Sequence, residues 1–247
     1  MGTVDKYQEP NTKNQKLLIL HGWSYSTEKW EPFLKLLEDS NINYELLKIP
    51  GLTAPLKEVW NLADYVNWFK KEVGKSNQKV VLLGHSNGGR IVASFAAEFP
   101  EKVACLILID SAGVIRRDIK TVLKKNLLQL VTSAGKKITK SDKLRNLLYK
   151  AIGEQDYNKA DETLKKTMVN LVKEDLETVF SIIIVPTLII WGQNDGVTPL
   201  SDGRKINKRI LGSELAIIPG AKHSPQFTNT QEVFQKVFSF IKHYGNI

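Results

Sequence analysis

The 247-residue chain carries a single cysteine, Cys105, and no long hydrophobic run. One thiol cannot close an intramolecular disulfide, and it excludes a cysteine-rich zinc site. A chain of this length needs no such staple, since it buries roughly 70–75% of the surface its unfolded form exposes. The longest apolar run is 13 residues, Val179 to Trp191, and Ser181, Pro186 and Thr187 interrupt it. A helix that crosses a bilayer needs about 20. Met1 to Gln15 is polar and lacks a signal-peptide core, and Lys6 stands where myristoylation wants Ser or Thr. Together these absences predict a cytoplasmic protein with no stable membrane insertion. Internal repeats and low-complexity tracts are absent too, which excludes solenoids and arrays.

What is present is ordinary for one globular domain: 42% hydrophobic and 25% charged residues. The charge is unevenly spread. Net charge is 35 − 26 = +9, and Arg116 to Lys150 holds eleven Lys or Arg against Asp118 and Asp142, so that segment carries the whole excess. Such a stretch suits an anionic partner. Its cations, however, alternate with Leu, Ile and Val, as in Val122-Leu123-Lys124-Lys125-Asn126-Leu127-Leu128, which is the pattern of amphipathic helices. No aromatic residue lies between Arg116 and Leu148 to stack on bases. The expectation is a solvated helix face and no nucleic-acid partner.

Short runs rich in Val, Ile and Leu predict strands at Lys16–Leu20, Tyr44–Ile49, Lys79–Leu83, Val103–Ile109, Pro186–Trp191 and Leu215–Ile218. They lack in/out alternation, as strands of a parallel sheet covered on both faces do. Helical patterns at Glu31–Asp39, Asn61–Val73, Gly89–Phe99, Asp202–Leu211 and Thr230–Tyr244 lie between and after them. The order predicts a doubly wound, mostly parallel α/β sheet. From Ala112 to Phe180 no strand pattern appears, and Pro is absent from Glu101 to Val185. Helical patterns at Arg117–Thr132, Ser141–Gly153 and Asp156–Glu177 fill the gap. The expected division is a core of residues 1–111 and 181–247 with a helical cap, 112–180, inserted after the fourth strand.

The chemistry centres on Gly84-His85-Ser86-Asn87-Gly88, a G-x-S-x-G pattern between a strand and a helix. A serine on so sharp a turn is strained and held out above the sheet, and the two glycines give the turn room. The stretch lacks the Lys-Ser/Thr of a phosphate-binding P-loop. A serine hydroxyl needs a base. Of the four histidines, His85 adjoins Ser86 and is expected to point away. His21 reads as a buried residue shaping the first loop, and His243 as helix surface. His223, in the loop after the last strand, is the base candidate. The acid that orients it is sought at strand ends. Asp195 is preferred, one strand from the His223 loop, and Asp110 is expected to tie down the start of the insertion. Backbone N–H groups of Asn87 and Trp23 are the candidate oxyanion donors.

The order Ser86, Asp195, His223, the Gly84–Gly88 elbow and the His21-Gly22 loop resemble the α/β-hydrolase superfamily. The resemblance runs from about Lys16 to the C-terminus. Phe99-Pro100-Glu101-Lys102-Val103, Val185-Pro186-Thr187-Leu188-Ile189-Ile190-Trp191-Gly192 and Ile218-Pro219-Gly220-Ala221-Lys222-His223 are similar to its capped esterase, lactonase and carbon–carbon hydrolase branch. Two departures stand out. Asn87 occupies a place where that branch often has an apolar residue, and the polar Met1–Gln15 leaves room for at most one of the usual opening antiparallel strands. Ser86 stands where dehalogenases and epoxide hydrolases carry Asp. The resemblance implies a serine esterase acting on a small-molecule ester, with a carbon–carbon hydrolase on the same triad or a non-catalytic receptor as alternatives. No residue spacing suggests a metal site, and no cofactor is implied.

Overall fold

The computed structural model describes residues 15–115 and 160–245. The helical patterns Arg117–Thr132 and Ser141–Gly153, the whole basic stretch Arg116–Lys150 and the opening antiparallel strand lie outside the described residues.

Six strands, β1 (Leu17–Leu20), β2 (Tyr44–Leu46), β3 (Val80–His85), β4 (Val103–Ile109), β5 (Thr187–Gly192) and β6 (Glu214–Ile218), form one sheet in the order β2-β1-β3-β4-β5-β6. Every pairing is parallel. The helices are α1 (Glu31–Asp39), α2 (Leu62–Val73), α3 (Asn87–Glu98), α4 (Glu162–Val172), α5 (Glu177–Ser181), α6 (Leu200–Arg209), α7 (Pro225–Thr228) and α8 (Thr230–Tyr244). The doubly wound arrangement follows from the strand sequences. Leu18, Leu20, Leu82, Leu106, Leu108, Ile189 and Trp191 face one cluster with Phe69, Ile91 and Phe95 of α2 and α3. The intervening residues Leu17, Ile19, Val81, Leu83, Ile107 and Ile190 face another with Phe33, Leu37, Val237 and Ile241 of α1 and α8. Both sides of each central strand are apolar because both are covered. Cys105 belongs to the second cluster, where burial pushes its thiol up to about 12. It is a core residue.

Most boundaries differ from the sequence expectation by one or two residues, and three differences have a clear local cause. β2 stops at Leu46, not Ile49, because the Ile49 carbonyl turns to accept the N–H groups of Leu52, Thr53 and Ala54. α3 starts at Asn87, two residues early, with Ser86 itself as its N-cap. The expected helix Asp156–Glu177 is described only as α4 and α5. Asp161 caps α4 by accepting the Leu164 N–H at 2.7 Å, and the chain breaks before α5, where the Leu176 N–H donates to Gly113. The described part of the segment between β4 and β5 is thus helical. Leu164, Met168, Leu171 and Phe180 within it share the cluster that covers one face of the sheet. Among the described residues no helix is long and apolar enough to cross a membrane.

Candidate active site

A parallel sheet puts all its strand carboxyl ends on one edge, and the loops there carry the chemistry. Ser86 follows β3 directly. Its backbone has φ 52° and ψ −115°, an angle pair that costs a non-glycine residue about 1–3 kcal/mol. Neighbours enforce it: the Ser86 N–H donates to Ile109 at 3.0 Å and its carbonyl accepts the Ala112 N–H at 2.9 Å. The elbow leaves no space for side chains at its glycines. A Cβ on Gly84 would lie 2.6 Å from Gly89 Cα, and one on Gly88 would lie 2.6 Å from the His21 carbonyl oxygen. Gly22 has the same constraint, since its Cβ would sit 3.0 Å from Ser86 Cβ. The loop carrying Trp23 therefore presses directly on the serine.

His223 follows β6, and the left-handed Ser224 (φ 103°) turns the chain after it. His223 Nε2 lies 3.1 Å from Ser86 Oγ, and Nδ1 lies 2.8 Å from Asp195 Oδ2. The three side chains expected from the sequence thus form one hydrogen-bonded chain across 137 residues. Asp195 is held by its own loop. Its Oδ1 accepts the Val197 and Thr198 N–H groups at 2.7 and 3.0 Å, and its Oδ2 also accepts the Thr198 hydroxyl at 2.7 Å. Thr198 was not legible in the sequence as a site residue. Its signal, a hydroxyl three residues after a strand-end aspartate, is common in loops.

Two expectations are corrected. Among the described residues the Asp110 carboxylate is not bonded to the insertion. It accepts the Gly192 N–H through Oδ1 and the Ser224 N–H through Oδ2, both at 2.8 Å, joining the ends of β4 and β5 to the His223 loop. Burial and the neighbouring Asp195 push Asp110 up to about 7, while those two N–H bonds and His223 pull it down. His85 does not turn away from the site. Its ring centroid lies 5.1 Å from that of His223, and its Nε2 lies 3.1 Å from Ser224 Oγ. A strand-to-helix turn points residue 85 behind the serine, and His223 packs there. Burial, then His223 and His21, hold the His85 pKa well below its usual value, so it stays neutral. His21 is buried as expected, with Nδ1 2.8 Å from the Gly22 carbonyl and Nε2 2.9 Å from Thr53 Oγ1. His243 is exposed in the last turn of α8.

Sequence spacing gave no metal site, yet the fold brings one nitrogen each of His85 and His223 and an oxygen of Asp110 within 4.8 Å of one another. These groups are already engaged: both Asp110 oxygens accept N–H bonds, and both His223 nitrogens face Asp195 and Ser86. The cluster reads as a hydrogen-bonded support for the His223 loop.

The Asn87 N–H is the first of α3 and has no acceptor within the helix, as helix starts require. Trp23 packs at the edge of the cluster that includes α3. Three nearby side chains are buried with polar atoms that have no hydrogen-bond partner among the described residues: both amide atoms of Asn87 and of Gln226, and Nε and Nη1 of Arg90.

Residues 16–230 match the family model described as alpha/beta hydrolase fold. The chain belongs to the α/β-hydrolase fold family. Among its relatives in this family, an uncharacterized hydrolase of Bacillus subtilis, YugF, is 25% identical over 96% of this chain and 93% of its own. A pimeloyl-[acyl-carrier protein] methyl ester esterase of Nitrosospira multiformis is 22% identical over 98% of this chain and all of its own. Among solved structures of the same fold, a bacterial membrane phospholipase A superposes with a TM-score of 0.69 at 21% identity, covering 95% of this chain and 81% of that one. This α/β-hydrolase brings Ser86, Asp195 and His223 together in the loops that follow β3, β5 and β6.

Proposed function

We propose that this chain is a serine hydrolase that cleaves carboxylic esters through an acyl-enzyme. The observation that carries the reading is the His223 ring, held between Asp195 and Ser86. Asp195 accepts the proton on Nδ1, which leaves Nε2 free to accept the Ser86 proton. Ser86 Oγ then bonds to the ester carbonyl carbon as its proton passes to His223. The negative charge on the carbonyl oxygen is received by the N–H groups of Trp23 and Asn87. Collapse breaks the bond to the alcohol oxygen, which takes the proton from His223. Water, deprotonated by the same ring, releases the acid and restores Ser86. Residues 112–180 act as the cap that shapes the acyl pocket. The reaction needs no cofactor, and the reading places the protein in the cytoplasm with a small ester as its partner and no nucleic acid.

Ser86→Ala is expected to remove about 10⁴-fold or more of the rate on p-nitrophenyl butyrate while the far-ultraviolet circular dichroism stays unchanged. A fluorophosphonate should label the wild type at Ser86 only. Residual activity above about a hundredth of wild type would identify another nucleophile.

The buried, unpartnered Arg90 supports a second reading, carbon–carbon hydrolysis on the same triad, because a dienoate substrate brings a carboxylate that needs such a cation. Paired kcat/KM values for p-nitrophenyl butyrate and a 2-hydroxy-6-oxo-dienoate separate the two. A preference for the dienoate of about tenfold, or ~1.4 kcal/mol of transition-state binding, overturns the ester reading.

A further inference from the structure

Arg90 is in the first turn of α3, one helical turn beyond Ser86, and its N–H reaches the Ser86 carbonyl at 3.4 Å. Residues four apart share a helix face, and side chains lean toward the helix N-terminus. Arg90 thus leans toward the end of α3 that carries the serine. Its stripe continues through Ser94 and Ala97 to Glu98, which is exposed. Arg90 is buried while Ser94 and Ala97 are half-buried, and α5 packs against α3.

Within that cover Arg90 is 6% exposed. Neither Nε nor Nη1 has a hydrogen-bond partner among the described residues, and these two nitrogens belong to the two different edges through which a guanidinium grips a carboxylate. Burial pulls the group down to about 10 and Glu174 partly offsets this, so Arg90 remains a cation at neutral pH. A buried cation without a paired, hydrogen-bonded anion is costly to maintain. Asn87, three residues earlier on the helix, is buried with both amide atoms unpartnered. Two unpartnered polar side chains on one helix start, next to the serine, call for a ligand group that arrives with the substrate.

We propose that Arg90 receives a carboxylate that the substrate carries away from the bond being cut, so that the enzyme takes half-esters of dicarboxylic acids or similarly acidic acyl compounds. This rests on the reading of Ser86 as the reacting residue. One cation with a carboxylate, Glu174, in its surroundings matches a singly charged anion better than a phosphate dianion. The site therefore selects carboxylates.

The test is calorimetric binding of straight-chain dicarboxylic acids and of monocarboxylic acids of equal length, on wild type and Arg90→Met. At one chain length or more the dicarboxylate should bind about tenfold tighter or better, and Arg90→Met should lose that ratio, with Arg90→Lys between them. The ligand-free Arg90→Met protein should melt at or above the wild-type temperature, because it replaces a lone buried charge by an apolar chain. No preference at any length, or one that survives in Arg90→Met, overturns the proposal, as does tighter binding of the corresponding phosphonates. A fall in Tm in Arg90→Met also overturns it, and a matching fall in Glu174→Gln would identify a structural ion pair instead. Fluorophosphonate labelling reports on Ser86 separately, so a failure of the esterase reading is distinguishable from a failure at Arg90.

Discussion

Two aspartates stand at the carboxyl ends of neighbouring strands, Asp110 after β4 and Asp195 shortly after β5, and both are almost fully buried. Each accepts two backbone N–H groups, but from different places. Asp110 spends one oxygen on Gly192 and the other on Ser224, residues 82 and 114 positions away. Asp195 takes both from its own loop, Val197 and Thr198, and on a single oxygen. Its second oxygen is left for the Thr198 hydroxyl and the His223 ring. The difference teaches that burial and residue type do not assign the role. A local loop that satisfies one oxygen leaves the other for the His223 ring, whereas a carboxylate that bridges distant segments is consumed as a clasp.

The most severe way to break this comparison is Asp195→Asn, which cannot hold the His223 proton on Nδ1. Ester turnover should fall about 10³–10⁴-fold with little change in fold. If Asp110→Asn is the more damaging to turnover, the roles are reversed. Asp110→Asn should instead cost stability, about 1–3 kcal/mol by denaturant unfolding at pH 7, because an amide can accept only one of the two N–H bonds. The same variant sharpens the comparison through pH. The Asp110 pKa is raised by folding, from 3.8 to about 7. Its contribution is therefore fully present below about pH 4 and is lost as pH rises through 7. Asp110→Asn lacks that slope, so its deficit relative to wild type should narrow from pH 4 to pH 7. A deficit that widens contradicts the raised value. The smallest expected effect belongs to Thr198→Val, which removes one hydroxyl from Asp195 Oδ2 and should lower kcat about three- to tenfold. No change in kcat would mean that the backbone N–H groups alone position the carboxylate.

The meeting of Ser86, Asp195 and His223 was legible because strand ends and a glycine elbow announce themselves in sequence. So were the parallel sheet and both of its covered faces, since apolar runs without alternation admit few other folds. What remained hidden was how side chains turn at those ends. Asp110 and Asp195 look alike as letters, and only the register of β4 against β5 shows that Asp110 faces the Gly192 N–H. His85 was misjudged for the same reason: its neighbour across space, Ser224, is 139 residues distant.

The sheet order has a consequence for synthesis. β1, β3, β4, β5 and β6 lie side by side in the order in which they are made, with β2 on the outer edge, so the sheet can grow strand by strand as the chain emerges. The serine is in place early, yet the ring that would activate it belongs to the loop after the last strand. On that proposed reading, Ser86 lacks its base until residue 223 has left the ribosome. Parallel pairings between distant segments also form slowly. On the proposed mechanism, a nascent chain thus carries Ser86 through most of translation without its base, and gains it only as the final edge of the sheet closes.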